Sequence, residues 1–194
     1  MNMREDIKAL VAESLYAKQQ LLNDEQLIAT LEQVSKLFID CFKADGKVLF
    51  CGNGGSAADA QHISAELSGR YKLDRKPLFA EALHVNTSYM TAVANDYSYD
   101  EVYSRMVEAA GREGDVLVAI STSGNSSNVL KAVEKARSIG MKVVGMTGDN
   151  GGKMKGLCDH LLNAPSSNTP RIQECHILMG HIICELTEKG LFDA

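Results

Sequence analysis

Apolar positions in the first forty-four residues keep to a helical beat. Ile7, Leu10, Val11 and Leu15 recur at three- and four-residue intervals, and Leu27, Leu31, Val34, Leu37 and Phe38 repeat that spacing further on, which places each set on one face of a helix. Asn23 and Asp24 lie between the two sets as break and N-cap. Residues 1–44 therefore predict a helical hairpin. At Lys47 the period changes. Lys47-Val48-Leu49-Phe50-Cys51 is a short apolar run closed by Gly52-Asn53-Gly54-Gly55-Ser56, and a helical pattern follows over residues 57–70. The same order returns at residues 115–120, with a helix to about 139, and again at 142–147 before Gly148-Asp149-Asn150-Gly151-Gly152. Weaker strands fall at 78–85 and 159–163, and Pro170, suited to a first helical turn, opens a last helix to about residue 189.

Repeated strand-loop-helix units imply a parallel sheet covered on both faces. The expected fold is α/β: a three-layer α/β/α sandwich with a flavodoxin-like sheet of about five strands. Residues 1–194 form one domain, whose N-terminal hairpin is available to pack against a second subunit. Ligands of such sheets bind beyond the carboxyl ends of the strands, so the first two loops should converge on one crevice. Residues 71–77, rich in charge, read as an exposed connection.

Composition narrows the ligand. With 45% hydrophobic and 23% charged residues in 194, the chain has the balance of a globular domain. The net charge is -5 and no basic run is long enough to track a phosphate backbone, which excludes a primary nucleic-acid role. An anionic ligand must then be held by local dipoles and hydroxyls, as suits a small phosphate ester. Five cysteines without a CxxC pair point to a reducing cytoplasm. Acidic residues near the start and the lack of any apolar run near ~18 residues argue against export or a membrane span.

Ser121-Thr122-Ser123-Gly124-Asn125-Ser126 sets hydroxyls and a turn glycine between a strand and a helix N-terminus, where backbone amides and the helix dipole attract an anion. The same residues also suit an N-cap and an ordinary turn. Gly52-Asn53-Gly54-Gly55-Ser56-Ala57 matches G-x-G-x-x-A, but neither a well-placed acid nor a Walker lysine follows. Its glycines, Gly54 and Gly55 among them, let backbone approach a small ligand, with Asn53 and Ser56 as polar contacts. His62 and Glu66, at i and i+4 on the next helix, can chelate one ion or form a solvated surface pair. The last helix is apolar around much of its circumference, so its embedded Gln173, Glu174, His176, His181 and Glu185 need partners. Gln173 and His181 lie two turns apart and can complete a four-ligand set with His62 and Glu66. His84 and His160 read as ordinary histidines.

These motifs, with Ala94-Asn95-Asp96 and Arg171-Ile172-Gln173-Glu174, resemble the sugar isomerase (SIS) domain proteins, and within them the sedoheptulose 7-phosphate isomerases, over nearly the whole chain. The resemblance implies conversion of sedoheptulose 7-phosphate to D-glycero-D-manno-heptose 7-phosphate, on the way to the ADP- or GDP-heptose of bacterial lipopolysaccharide or capsule. It implies a homotetramer with sites at subunit contacts, and one zinc per site on residues matching His62, Glu66, Gln173 and His181. Glu66 and His181 fall where a base and an acid are needed for a cis-enediol route. Ser121, Thr122, Ser123 and Ser126 fall on the phosphate, and Asn53, Ser56 and Asp96 on the sugar. Pro170 stands where some members carry an Asp, which leaves Thr169 to supply a sugar-hydroxyl contact there. Two other readings belong to the same domain: a regulator that binds a replication-initiation protein, whose known forms lack the carboxylate of the His-Glu pair, and a sugar-phosphate sensor, which needs only the serine loop.

Overall fold

A computed structural model describes residues 2–192. The hairpin is present: α1 runs Met3–Asn23 and α2 Glu25–Lys43, and the Asp24 carboxylate between them accepts from the Leu27 amide at 3.0 Å, satisfying one otherwise orphaned donor of α2. Five strands follow, β1 Val48–Gly52, β2 Ala80–Ala82, β3 Val116–Ile120, β4 Lys142–Thr147 and β5 His160–Asn163. All pair in parallel, in the order β2-β1-β3-β4-β5, the flavodoxin-like order with its switch point between β1 and β3.

Alternation along the strands divides the core in two. Val48, Phe50, Val116, Val118, Ile120, Val144 and Met146 face a layer made by α1, α2, α3 (Gly55–Ser68) and α7 (Thr169–Phe192). Leu49, Cys51, Leu117, Ala119 and Val143 face the opposite layer, made by α4 (Thr87–Asp96), α5 (Val102–Ala110) and α6 (Ser127–Ser138). Because both faces are covered, β1 and β3 are buried at every position, and this is why they read as unbroken apolar runs.

The structure departs from the sequence-based expectation in three places. Residues between 86 and 114, assigned to no element, form α4 and α5 around a 3-10 turn at Tyr99–Glu101. Helix α4 buries only Val93, so it lacks the apolar stripe that announces a helix. The third strand and loop lead into a single 3-10 turn, Gly152–Met154, not a helix. Residues 71–77 do run along the surface as an exposed connection, but within them the Arg75 side chain turns inward, it and its partner Glu188 being only 2% and 3% exposed.

One buried polar group ties the fold to pH. His176 of α7 is fully buried, and its Nε2 donates to the Thr147 carbonyl at 3.0 Å at the end of β4. Nδ1 is buried without a partner. Burial pushes the pKa down to about 4, against a smaller opposing effect of that hydrogen bond. The unfolded chain, with an ordinary histidine, binds the proton more readily, so this residue removes stability as pH falls from about 6.5 to about 4, by up to about 3 kcal/mol. Urea unfolding at pH 7 and pH 4.5 should show that loss in the parent protein and a shallower pH dependence in His176→Gln. Equal slopes would assign the acid sensitivity elsewhere.

Candidate active site

The loops after β1 and β3 begin at the same level, because Gly52 is in register with Ile120. Gly54 takes φ 56°, a conformation that a residue with a Cβ rarely adopts, and α3 begins immediately behind it. Asn53 turns its side chain sideways. Its amide and that of Asn128, at the start of α6, donate to each other at 2.9 Å in both directions, and the Tyr99 hydroxyl donates to Asn53 Oδ1 at 3.2 Å. Below them, the buried Tyr103 hydroxyl donates to the Gly52 carbonyl. Two loops far apart in sequence are thus fastened across the switch point.

In the serine loop, the Ser121 and Ser126 hydroxyls share a hydrogen bond at 3.0 Å. Ser126 occupies the N-cap position of α6, yet its side chain makes no capping bond, so the plain capping role does not describe it. Ser123 Oγ accepts from the Asn125 amide at 3.2 Å. Ser121 is buried, Thr122 and Ser126 are half-buried, and Ser123 is exposed. Gly124, at φ 65°, lies so close to the Gly151 carbonyl that any side chain would overlap it. Thr122, Ser123 and Asn125 then line a cavity of about 210 Å³ with Gly148, Asn150 and Thr169. Thr169 thus opens onto the same cavity as the serine loop.

The second cluster lies along α3 and α7. The two helices run in the same direction and touch closely: a side chain on Gly180 would overlap Ile63, and one on Gly55 would overlap the Gln173 amide. On the outer edge of this contact, His62 Nε2 lies 3.2 Å from Glu66 Oε1 and 3.2 Å from His181 Nε2. One donor atom from each of the three lies within 4.8 Å of the others. Two imidazole nitrogens and a carboxylate oxygen converging on one point form a donor set that fits a borderline divalent cation. Gln173 stands apart, against Gly55 at the head of α3, two helical turns or ~10 Å along the axis from His62. The His62 side chain is 49% exposed and that of Glu66 26%, and a shallow groove over Ala58, Gln61, His62, Ala65 and Glu66 leaves this face open.

Asp59 was not singled out from the sequence. One Oδ of Asp59 is buried without a partner, and burial pushes its pKa up to about 6, against the smaller pull of His62. The signal was present: Asp59, His62 and Glu66 recur at helical spacing on one face of α3. Asp96, at the exposed end of α4, accepts from the Asn95 side chain at 3.1 Å, and Ser56 is buried at the first turn of α3. His84 keeps Nδ1 buried without a partner.

Residues 15–148 match the SIS domain family. The chain is 50% identical over 190 residues to a phosphoheptose isomerase of Clostridium acetobutylicum, covering 98% of this chain and 97% of the relative. It is 58% identical over 165 residues to a phosphoheptose isomerase of Helicobacter pylori, covering 85% and 86%. Among solved structures, the phosphoheptose isomerase of Neisseria gonorrhoeae superposes with a TM-score of 0.91 at 46% identity, over 97% of this chain and 100% of that one.

The loop geometry predicts where an anion binds. Ser121→Ala combined with Ser123→Ala should weaken inorganic phosphate binding, each lost donor costing on the order of 1–3 kcal/mol beside a charged acceptor. Titration calorimetry of both proteins measures this, and equal phosphate affinity would leave the serines a purely local role.

Proposed function

Because this chain belongs to the SIS-domain family and to the phosphoheptose isomerases within it, we propose that it interconverts sedoheptulose 7-phosphate and D-glycero-D-manno-heptose 7-phosphate, an early step toward nucleotide-activated heptose for lipopolysaccharide or capsule. The observation that carries this reading is the His62, Glu66 and His181 cluster on a chain about half identical to such enzymes over nearly its full length. A regulator or a sensor of sugar phosphates would need no such acid-base set.

The substrate phosphate sits on Ser121, Thr122, Ser123 and Ser126, where the α6 dipole favours negative charge. Backbone at Gly54 and Gly55, together with Ser56, Asn53 and Asp96, receives the hydroxyl-bearing chain. This directs C1 and C2 toward α3 and α7. Glu66 removes a proton from C1 of the ketose while His181 donates one to the oxygen on C2, giving the cis-enediol. Glu66 then returns a proton to C2, and His181 takes one from the oxygen on C1, leaving the aldehyde. Since Glu66 Oε1 is turned to His62, its second oxygen is the one assigned to the carbon-bound proton. Asp59 adds a further protonatable carboxyl, close enough for His62 to affect its pKa.

Zinc is the cation we assign to His62, Glu66 and His181; Gln173, set against Gly55 two turns away, is left out of the donor set and assigned to the substrate. When bound, zinc would polarise the two substrate oxygens as a Lewis acid. The open face of the cluster needs a cover, since an enediol is protected by excluding water. Ile7, Leu10, Val11 and Leu15 of α1 are each more than half exposed, an apolar stripe that a monomer seldom leaves bare. Both features support a homotetramer with sites at subunit contacts. No helix among the described residues is long and apolar enough to cross a membrane, and all five cysteines are unpaired, which supports a reducing cytoplasm as its location.

Glu66→Gln should reduce turnover of sedoheptulose 7-phosphate by at least about 10²-fold, the scale of a lost general base, while phosphate binding and the melting temperature stay close to parental. Metal analysis belongs with the same assay: chelator should lower the rate and added zinc restore it. Turnover retained in Glu66→Gln would refute the base assignment, and no turnover by the parent protein would refute the activity itself.

A further inference from the structure

Residues 69–77 cross from the end of α3 to the edge strand β2, and they are anchored by a charge that no substrate contact explains. Glu188, near the end of α7, is buried. Its carboxylate accepts from the backbone amides of Tyr71, Lys72 and Leu73 at 3.3, 2.8 and 3.0 Å, and from Arg75 Nε at 2.9 Å. Arg75 reaches the other way. Its Nη1 donates to the Leu67, Gly69 and Lys76 carbonyls at 2.8, 3.3 and 3.1 Å, and Nη2 donates to the Glu66 carbonyl at 2.9 Å. The guanidinium thus caps carbonyls at the C-terminal end of α3, one of them belonging to a member of the cluster. Each charge is surrounded by donors or acceptors on several sides, as burial requires.

What this anchoring delivers is one aromatic ring. Tyr71, the first residue held by Glu188, lies 5.9 Å from the His181 imidazole, centroid to centroid, with the planes 23° apart. Its neighbour Lys72 has its ammonium 5.7 Å from the Tyr71 centroid and donates to Glu185 at 2.7 Å. The torsion that turns an imidazole about its stem is broad and roughly two-fold, so nothing in α7 alone decides where His181 Nε2 points. A ring stacked on one face limits the imidazole plane. In that plane Nε2 lies 3.2 Å from His62 Nε2.

We propose that Glu188 and Arg75 are positioning residues which, by fixing the backbone of residues 71–73, seat Tyr71 on His181 and so hold the imidazole toward His62 and Glu66. Outer partners of this kind change affinity or activity by about 10–100-fold when removed. The proposal rests on the isomerase reading only for its kinetic readout; its structural readout stands without it.

The test compares Tyr71→Phe, Tyr71→Leu and Glu188→Gln with the parent protein. Side-chain histidine NMR, with the His181 signal identified by its loss in His181→Gln, should show that signal displaced by the neighbouring ring in the parent and in Tyr71→Phe. The displacement should vanish in Tyr71→Leu and shrink in Glu188→Gln. Turnover should follow, with kcat about tenfold lower in Tyr71→Leu and Glu188→Gln, KM within about twofold, and Tyr71→Phe near parental. Should Glu188→Gln fail to fold, Arg75→Lys, which keeps the charge and loses the fork, takes its place with the same expectation. A folded Glu188→Gln or Arg75→Lys that keeps the parental His181 signal overturns the proposal, as does Tyr71→Leu with parental kcat. If the parent protein turns over no heptose phosphate, the isomerase reading fails while the NMR comparison still decides whether Tyr71 is held on His181.

Discussion

The in-register parallel pairing of β1 with β3 is the constraint from which the site follows. In a sheet ordered β2-β1-β3-β4-β5, the chain leaves β1 toward one face and β3 toward the other, so the two loops part at the switch point and open a crevice between them. Because Gly52 and Ile120 are level, Asn53 and Ser121 leave the sheet together. The reciprocal amides of Asn53 and Asn128 then close the distance laterally. A slip of one residue in that pairing would send Phe50 or Val118, whichever strand moved, out of the layer they share and into the other, so the packing of that layer enforces the register.

Packing of α3 against α7 does for the second cluster what strand pairing does for the loops. Gly55 and Gly180 admit Gln173 and Ile63 where any side chain would obstruct them, and the helices come close enough for three side chains to meet. Since α3 starts at the glycine loop, the cluster lies two turns from the crevice along a rigid element. A phosphate at one end and reacting carbons at the other can therefore be held at a fixed separation, which is what an isomerase of a long sugar phosphate requires.

Buried polar groups in this protein act as fasteners between elements. Asp115 accepts from the Lys47 and Arg112 amides and pairs with the Lys47 ammonium at 2.6 Å, closing the sheet at the end away from the site. At the end of α7, the amides of residues 71–73 and Arg75 outweigh the upward push of burial and hold the Glu188 carboxyl below its usual range. Such groups contribute little net stability compared with apolar packing, but each leaves an uncompensated charge if its partner is removed. They therefore restrict the number of arrangements the loops can take more than they strengthen the core.

Short-range pattern by itself determined the helical hairpin, the five strands, the parallel sheet and the positions of both glycine- and serine-rich loops, because doubly covered strands must be apolar throughout and a turn at a strand end must be rich in Gly and Ser. It also marked His62 and Glu66 by their i, i+4 spacing, and His181 as a polar group in an apolar helix that needs a partner. What it left undecided depends on residues distant in the chain. Helices α4 and α5 form although α4 has almost no buried stripe, because they cover the face of the sheet left exposed beside α6. The charged run at 71–77 looks solvated in sequence, and only the arrival of Glu188 more than a hundred residues later turns Arg75 inward. Asn128 could be recognised as the partner of Asn53 only once β1 and β3 were paired. The partner that decides whether a polar side chain is a surface group, a fastener or a ligand is supplied by tertiary packing, and sequence spacing carries no record of it.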